Sequence, residues 1–303
     1  MCSSDLSFIP HEGKISLAFF HRGRRIKRPI GGCLLANENI NRAALQMLDW
    51  LNRKNVDCRS LKSIILRSNT RGEVIAGLFV RDENFPCDFE PDFESFKGWA
   101  LYFSNPQCPA SVPTREMHKT GVSFLQETVQ ERTMHFGLFS FFQINPEMFS
   151  RALSSISDFV KDEEVLDYYS GVGAISIGLS SRIQKATLVD ESEEAIEYAK
   201  KNLEMNGLSH FAAHCGRAEK LLDFITHSHV LILDPPRPGL HEKVIEKIVA
   251  EKPKKIVYLS CNILTCLDNV KKLIGDYRMV YQKAYNFFPA TSHTEFLVLL
   301  ERK

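Results

Sequence analysis

The second half of this 303-residue chain alternates short apolar runs with helical segments. From Thr133 onward, five such runs each end in a polar or small residue, at residues 165–169, 185–190, 211–215, 230–234 and 255–261. Helical segments lie between them, at residues 193–205, 241–250 and 263–273. Strands that alternate with helices form right-handed crossovers and a parallel sheet covered on both faces. The pattern therefore predicts an α/β domain over residues 131–303.

Two further apolar runs, residues 277–288 and 295–301, follow each other with no helix between them. A parallel pair would need a long crossover connection, so these two strands are predicted to be antiparallel. Five strand–helix units closed by an antiparallel hairpin resemble the seven-stranded sheet of class I (Rossmann-like) methyltransferases. This resemblance concerns the fold and does not identify a substrate.

The first part of the chain, residues 1–130, predicts a smaller α+β domain. Apolar residues at positions 44, 47, 48 and 51 share one helical face, with Asn39 or Asn41 as the cap. Residues 64–70 and 73–80 are predicted to be strands joined by a turn at Arg71-Gly72. The chain therefore has two predicted domains of ordinary size.

The overall charge gives no reason to expect a polyanionic partner, because the formal net charge is only +1. One local exception is residues 21–28, which are basic at nearly every position. Taken alone, such a run is most often a solvated, charge-rich turn. No run of about 18 apolar residues is present, so no membrane partner is predicted.

The eight cysteines are not arranged as metal ligands. None is spaced as Cys-x-x-Cys, and no histidine cluster supplies further ligands, so neither zinc nor an iron–sulfur cluster is predicted. Residues 1–5 lack the basic and apolar regions of a signal peptide. We therefore expect reduced thiols and a cytoplasmic protein.

A candidate cofactor loop follows the first strand of the α/β domain and contains Gly171 and Gly173. Ligands of such sheets bind beyond the carboxyl ends of the strands, and glycine lets the backbone approach them closely. Asp190 ends the next strand, at a distance suited to a carboxylate that accepts hydrogen bonds from ribose hydroxyls. The third glycine of a dinucleotide fingerprint is replaced by Ser176. A Gly-x-Gly by itself is most often a structural turn, but its position after the first strand, with an acid ending the second, favours S-adenosylmethionine over NAD. Tyr169 is predicted to lie against the methionine part or the adenine.

A candidate catalytic residue ends the fourth strand, where Asp234 precedes Pro235 and Pro236. Methyltransferases place an Asp- or Asn-Pro-Pro motif here, facing both the transferable methyl group and the target. The prolines stiffen the loop and fix the direction of the acid. Enzymes that methylate exocyclic amines usually have an aromatic residue next, and Arg237 argues against that chemistry. The alternative is a structural turn with Asp234 as a helix cap.

Two more candidates lie near this position in the predicted sheet. Cys261 ends the fifth strand immediately before a helix, where the helix dipole and free amides favour a thiolate. A cysteine is more often a small buried hydrophobe, as we expect of Cys266. Glu295 opens the apolar run 296–300, an unusual place for a carboxylate unless it faces a cleft. The alternative is an ordinary acid at a surface strand end.

These residue types suit methylation at carbon 5 of a pyrimidine. That carbon is a poor nucleophile until a thiolate adds at carbon 6 and makes the ring enolate-like. The proton on carbon 5 must then be removed by a positioned base. Cys261 and Glu295 supply the two roles, and Asp234 is placed to hold the polar edge of the ring.

Five motifs follow one another along the chain: Phe141-Phe142-Gln143-Ile144-Asn145, Gly171-Val172-Gly173, Asp234-Pro235-Pro236-Arg237, Ser260-Cys261-Asn262 and His293-Thr294-Glu295. In these motifs and in their order, the chain resembles the RNA 5-methyluridine methyltransferases of the uridine-54 tRNA and 23S rRNA type. The resemblance covers essentially residues 141–303. It implies that Gln143 contacts S-adenosylmethionine and Asp190 its ribose. It also implies that Cys261 is the nucleophile, that Glu295 is the proton acceptor and that the substrate is structured RNA. The basic run and residues 31–35 resemble, more weakly, the central RNA-facing domain of the family.

The chain also departs from the family pattern. Many members begin with a β-barrel RNA-binding domain and carry a four-cysteine iron–sulfur cluster, and we expect neither here. Ser170 stands where many relatives have cysteine, and Ala174 where some have a cofactor-contacting asparagine. Nothing in the sequence points to an obligate protein partner. The RNA and the uridine that is modified stay open.

Two other functions are compatible with the fold. One is a catalytically idle RNA-binding or RNA-folding factor, against which Cys261 and Glu295 argue. The other is a class I methyltransferase that modifies a different atom, such as a cytosine carbon or a protein amide. Cytosine-carbon enzymes commonly place cysteine beside the strand-four proline, whereas this chain has Asp234.

Overall fold

The computed structural model describes residues 3–21, 26–86, 96–289, 291 and 293–303. Residues 22–25 of the basic run and residues 290 and 292 of the loop before Glu295 lie outside the described residues. The chain divides into two units, Met1–Leu125 and Gln126–Lys303. No helix in the described part of the chain is long and apolar enough to cross a bilayer.

The first unit is built on a seven-stranded sheet with the strand order β3-β2-β1-β4-β5-β6-β7. Neighbouring strands are antiparallel except β5 and β6, which are parallel. One helix, α1, packs its apolar face, including Ile40, Met47 and Leu51, into the core of this unit. The elements are β1 (Ser3–His11), β2 (Lys14–Phe20), β3 (Lys27–Pro29), α1 (Glu38–Arg53), β4 (Leu61–Ser68), β5 (Val74–Val80), β6 (Phe96–Phe103) and β7 (Arg115–Gly121).

The cap of α1 differs from the sequence prediction. The side chain of Asn37 accepts a hydrogen bond from the amide of Ile40 at 2.9 Å, so Asn37 is the N-cap. Asn41 has another role, because its amide side chain bonds both the backbone N–H and the carbonyl of Cys33, at 2.7 and 3.0 Å. The predicted helix face is correct, but it begins one residue after Asn37 rather than after Asn39 or Asn41.

The second unit contains the predicted seven-stranded sheet, with the order β12-β11-β10-β13-β14-β16-β15. Strands β10 to β14 are parallel to one another, and β16 is antiparallel to both β14 and β15. The elements are β10 (Glu164–Tyr168), α3 (Ala174–Gly178), β11 (Lys185–Asp190), α4 (Glu193–Met205), β12 (Phe211–Cys215), β13 (Val230–Leu233), α5 (Glu242–Glu251), β14 (Lys255–Ser260), α6 (Ile263–Leu273), β15 (Tyr277–Tyr285) and β16 (Glu295–Arg302). The class I methyltransferase fold is therefore confirmed.

A two-stranded sheet and one helix precede this domain sheet along the chain. They are β8 (Phe124–Val129), β9 (Arg132–Gly137) and α2 (Pro146–Ser157). Asn145 caps α2 by accepting a hydrogen bond from the amide of Met148 at 3.2 Å. Its side-chain amide also donates to the carbonyl of Phe287 at 3.4 Å. Asn145 thus ties the segment before α2 to the segment that follows β15.

Candidate active site

A cavity of about 800 Å³ lies at the carboxyl ends of β10, β11, β13 and β14. Most of the residues that the sequence singles out line it: Gln143, Tyr169, Gly171, Asp190, Asp234, Cys261 and Glu295. Gly173 is not among the lining residues. It begins α3 instead, with a left-handed φ of 86°. The parallel strands therefore bring side chains that are far apart in sequence to one edge of the sheet.

The loop after β10 has an unusual backbone. Tyr169 has a φ of 63°, which is uncommon for a residue with a side chain, and Gly171 and Gly173 also lie in the left-handed region. The backbone N–H of His241 donates a hydrogen bond to the phenolic oxygen of Tyr169. This contact holds the ring at the cavity wall. Strained backbone of this kind persists where the surrounding structure fixes it, most often at functional sites.

Asp190 organises the same loop from the neighbouring strand. One carboxylate oxygen accepts the backbone N–H of Gly171 at 2.8 Å, and the other accepts that of Ser192 at 2.9 Å. Each oxygen keeps further acceptor capacity, because a carboxylate offers about four lone-pair sites. Asp190 is therefore held in one orientation and can still accept hydrogen bonds from a ligand in the cavity.

Beneath the loop, Asp167 and Ser176 form a buried pair. The hydroxyl of Ser176 donates to Asp167 at 2.5 Å, and both residues are fully buried. Burial, with a smaller contribution from the charge of Asp190, raises the pKa of Asp167 to about 7, against the hydrogen bonds from Ser176. Ser176, which stands where a dinucleotide fingerprint has glycine, thus braces the cofactor loop.

The segment before α2 places Gln143 inside the cavity. Phe142 is buried and stacks on Phe136, with ring centroids 4.4 Å apart, while Phe141 is exposed at the cavity rim. Between these constraints, Gln143 is buried and its Nε2 donates to Asp234 at 3.4 Å. Its Oε1 is buried and has no hydrogen-bond partner among the described residues. A buried acceptor without a donor is what a ligand group would satisfy.

Strand pairing brings Cys261 and Glu295 together. β14 and β16 are antiparallel and paired as far as Ser260 and Phe296, so Cys261 and Glu295 occupy the next position on each strand. Glu295 is only 3% exposed, and it faces the cavity rather than the protein surface. The alternative of an ordinary surface acid is therefore not what the structure shows.

Burial raises the pKa of two carboxyl groups in the cavity, those of Asp234 and Glu295. Burial, followed by the charge of Glu295, raises the pKa of Asp234 well above its ordinary value. Burial also raises the pKa of Glu295 to about 7, although the positive charge of Arg237 opposes this. Several acids in one poorly solvated cavity cannot all ionise at low cost.

The environment of the Cys261 thiol differs from the sequence expectation. Burial raises the pKa of Cys261, and the negative charges of Glu295 and Asp234 raise it further. Asn262, not Cys261, is the N-cap of α6, so the thiol lies one residue before the helix begins. The two acids and the loss of solvent therefore outweigh the effect of the helix end.

Arg237 is a residue of the site whose role the sequence did not reveal. Its side chain hydrogen-bonds with the thiol of Cys261, and its charge lowers the pKa of both Cys261 and Glu295. The side-chain amide of Asn262 donates to the Arg237 carbonyl at 3.2 Å, which links the loop after β13 to the start of α6. In the sequence, only its place directly after the two prolines indicates such a role, and that place by itself shows only that no aromatic residue follows the prolines.

The opposite wall of the cavity carries two rings from the segment before β16. Phe288 and His293 meet edge to face, with centroids 6.1 Å apart, and both line the cavity. Among the described residues, no group of three His, Cys, Asp or Glu side chains is placed to hold a metal ion. The site is thus an apolar cavity with a few convergent polar groups, which is typical of small-molecule sites.

Two family models match the second half of the chain. Residues 217–303 match the tRNA (Uracil-5-)-methyltransferase model, and residues 132–257 match the methyltransferase small domain. Among solved structures, the chain is similar to the tRNA (uracil-54, C5)-methyltransferase of Pyrococcus abyssi in complex with S-adenosyl-L-homocysteine. The TM-score is 0.83 at 26% identity, over 99% of this chain and 75% of that one.

The curated relatives of this chain include further RNA methyltransferases. The tRNA (uracil(54)-C(5))-methyltransferase of Pyrococcus horikoshii is 33% identical over 79% of this chain and 58% of its own length. Uncharacterized RNA methyltransferases of Mycoplasma mobile and Caldanaerobacter subterraneus are 37% and 28% identical, over 56% and 90% of this chain. The chain spans about half to two thirds of the length of these relatives, 47% and 66% for the last two.

Proposed function

Because residues 217–303 match the tRNA (Uracil-5-)-methyltransferase model and the chain is similar to a solved tRNA (uracil-54, C5)-methyltransferase, we propose that it transfers a methyl group from S-adenosylmethionine to carbon 5 of a uridine in structured RNA, either tRNA or rRNA. The observation that carries this proposal is the pairing of Cys261 with Glu295 at the end of β14 and β16, inside the cavity that also holds Asp234. A thiol nucleophile and a buried carboxylate base are the two groups that this chemistry needs.

The cofactor residues fit S-adenosylmethionine, which supplies an electrophilic methyl group when bound. Asp190 is fixed by two backbone amides and accepts the ribose hydroxyls. Gln143 offers an unpartnered buried oxygen, and Tyr169 offers an aromatic wall held by His241. Gly171 lets the loop backbone approach the ligand. Gly173 acts indirectly, by turning the chain into α3.

The protein groups act on the uracil in sequence. The Cys261 thiolate adds to carbon 6, and the π electrons of the 5,6 double bond move toward oxygen 4, which makes carbon 5 nucleophilic. After carbon 5 has been methylated, Glu295 accepts the proton from that carbon. The electrons of the broken C–H bond form the 5,6 double bond again, and the thiolate of Cys261 leaves. Asp234, protonated in the cavity, donates a hydrogen bond to the polar edge of the ring.

The pKa values suit these roles. A base works best when its pKa lies near the working pH, and Glu295 has a pKa raised to about 7. The raised pKa of Cys261 keeps the thiol protonated in the free protein, and Arg237 is the positive group placed to favour the thiolate. A uridine reaches this cavity only if it is flipped out of its stack. We place the reaction in the cytoplasm, where free thiols stay reduced.

Labelled cofactor and unmodified total RNA test the proposal. The labelled nucleoside is expected to be 5-methyluridine, and label in another nucleoside, or none, would contradict the proposal; no label with intact RNA binding would indicate the idle RNA-binding factor. RNA with 5-fluorouridine at the target is expected to trap a covalent adduct, because fluorine does not leave as a proton does. Cys261→Ala should abolish the adduct. Cys266→Ala, a change of a buried thiol within α6, is the matched control and should keep it.

A further inference from the structure

A second cavity, of about 490 Å³, lies within the first unit, between α1, the β4–β5 turn and the start of β6. Its wall includes three basic side chains, one acidic side chain, two amides and one aromatic ring, namely Arg42, Arg71, Lys97, Glu73, Asn39, Gln46 and Phe96. None of these residues belongs to the site described above. The cavity is polar, and its chemistry differs from that of the methyltransferase site.

The charges of the described residues that line this cavity are positive on balance. Glu73 is satisfied by Lys97, whose Nζ lies 2.7 Å from Oε1, and by Arg71 at 3.6 Å. The pKa of Glu73 lies below its ordinary value, mainly because Lys97 donates a hydrogen bond to its carboxylate, so the acid is ionised. One acid offsets one of three cations. Arg42 is exposed and forms no salt bridge with any described residue, so it is available to an anion.

Gln46 indicates, independently of the charges, that a ligand of this cavity must donate a hydrogen bond. Its Oε1 is buried and has no hydrogen-bond partner among the described residues. Buried acceptors are nearly always paired, so this atom calls for a donor supplied from the cavity. An inorganic anion alone would satisfy Arg42 and leave Gln46 unpaired. The ligand that fits therefore carries both a negative charge and an N–H or O–H donor.

The ring of Phe96 adds a flat apolar surface to the same wall. Anion, hydrogen-bond donor and flat ring together are the features of a nucleotide, and bases of single strands commonly stack on aromatic side chains. We propose that this cavity binds an unpaired nucleotide of the RNA substrate, other than the methylated uridine, with its phosphate on Arg42 and a base N–H or ribose hydroxyl on Gln46. The proposal rests on the proposed function in that RNA is the substrate.

Three variants test this site. Arg42→Ala removes the available cation, and Gln46→Leu replaces the unpaired amide by an apolar side chain of similar size. Arg53→Ala is the matched control, because Arg53 lies on the same helix, is exposed and pairs with Asp49 rather than lining the cavity. Binding of an unstructured oligoribonucleotide is measured by fluorescence anisotropy over a range of salt concentrations. Thermal unfolding of each variant is measured in parallel.

Arg42→Ala is expected to weaken binding on the order of tenfold and to reduce the slope of log affinity against log salt by about 0.7, the value for one phosphate contact with a single strand. Gln46→Leu is expected to weaken binding with no loss of thermal stability, because it removes a buried acceptor that the fold itself does not pair. A structural role for Gln46 would instead lower the melting temperature. Arg53→Ala should change neither quantity.

Methylation kinetics separate this inference from the proposed function. If the protein forms 5-methyluridine, Arg42→Ala and Gln46→Leu should raise KM for RNA with little change in kcat. Unchanged KM and salt dependence in an active enzyme would overturn the nucleotide site alone. If the protein forms no 5-methyluridine but the two variants still weaken oligonucleotide binding, the proposed function fails and the nucleotide site stands. Equal competition by an acidic peptide would also overturn the assignment to a nucleotide.

Discussion

Replacing Glu295 by glutamine separates its catalytic role from its electrostatic cost. The ordinary pKa of the carboxyl group is 4.5, and burial at the end of β16 raises it to about 7. One pKa unit corresponds to about 1.4 kcal/mol, so ionised Glu295 destabilises the native protein by about 3 kcal/mol. Glutamine has nearly the same shape and cannot ionise. The variant Glu295→Gln should therefore lose the base and gain stability.

The direction of this pH dependence of stability follows from the number of protons that the native and the unfolded protein bind. Between pH 4.5 and about 7 the native protein keeps the Glu295 proton while the unfolded chain has released it. The free energy of unfolding therefore falls as pH rises through this window and levels off above it. Glu295→Gln should match the wild type near pH 4.5 and exceed it by up to about 3 kcal/mol at pH 8. Asp167 contributes in both proteins and cancels in the difference, whereas loss of the Glu295 charge also makes the pKa of Asp234 less raised, which changes the difference in the same direction.

Urea unfolding at a series of pH values measures this difference, and incubation with RNA and cofactor measures the chemistry. With ordinary uridine, Glu295→Gln should accumulate a covalent adduct, because the carbon 5 proton has no acceptor. Glu301→Gln, on the same strand but outside the cavity, is the control and should keep turnover. A stability difference that does not grow with pH, or normal turnover by Glu295→Gln, would refute the reasoning.

Three further changes have defined outcomes. Arg237→Ala should move the pH of half-maximal kcat/KM upward, because the Arg237 charge lowers the pKa of both Cys261 and Glu295. Arg237→Lys should restore part of this shift. An unchanged pH profile would exclude an electrostatic role of Arg237 in catalysis. Asp190→Asn should weaken cofactor binding about tenfold or more by calorimetry, since a charged acceptor held by two amides is lost. Gly173→Ala should destabilise the fold by about 1–2 kcal/mol in urea titrations, since its φ of 86° suits glycine.

The second domain could be predicted from sequence because its information is local. The apolar runs of β10 to β14 alternate with helical segments, except after β12, and right-handed crossovers leave few ways to arrange such units. The seven-stranded sheet of the first unit was not foreseen at this level of detail. Most of its strands pair with their neighbours in sequence, but β1 pairs with β4, and one consecutive pair, β5 and β6, is parallel. Nothing local in the sequence encodes those pairings.

The site was predictable where position alone decides it. Asp234, Cys261 and Asp190 follow directly from the rule that strand ends meet at one edge of the sheet. The electrostatics were not predictable, because they depend on which groups share the cavity. The helix after Cys261 suggested an acidic thiol, whereas the nearby acids raise its pKa. Arg237 was missed for the same reason, since its contact with the thiol exists only in three dimensions.

The charges in the cavity also bear on the order of events. Asp234 and Glu295 line the cavity beside Cys261, and in their ionised forms they raise the pKa of the thiol, whereas the charge of Arg237 lowers it. The same ionised acids favour a ligand that carries positive charge, as a sulfonium does. A positive charge bound beside Cys261 favours the thiolate over the thiol, and coupling between two sites is reciprocal, so the thiolate would favour the bound cation equally. We therefore expect the nucleophilicity of Cys261 to increase when a cationic methyl donor occupies the adjoining part of the cavity.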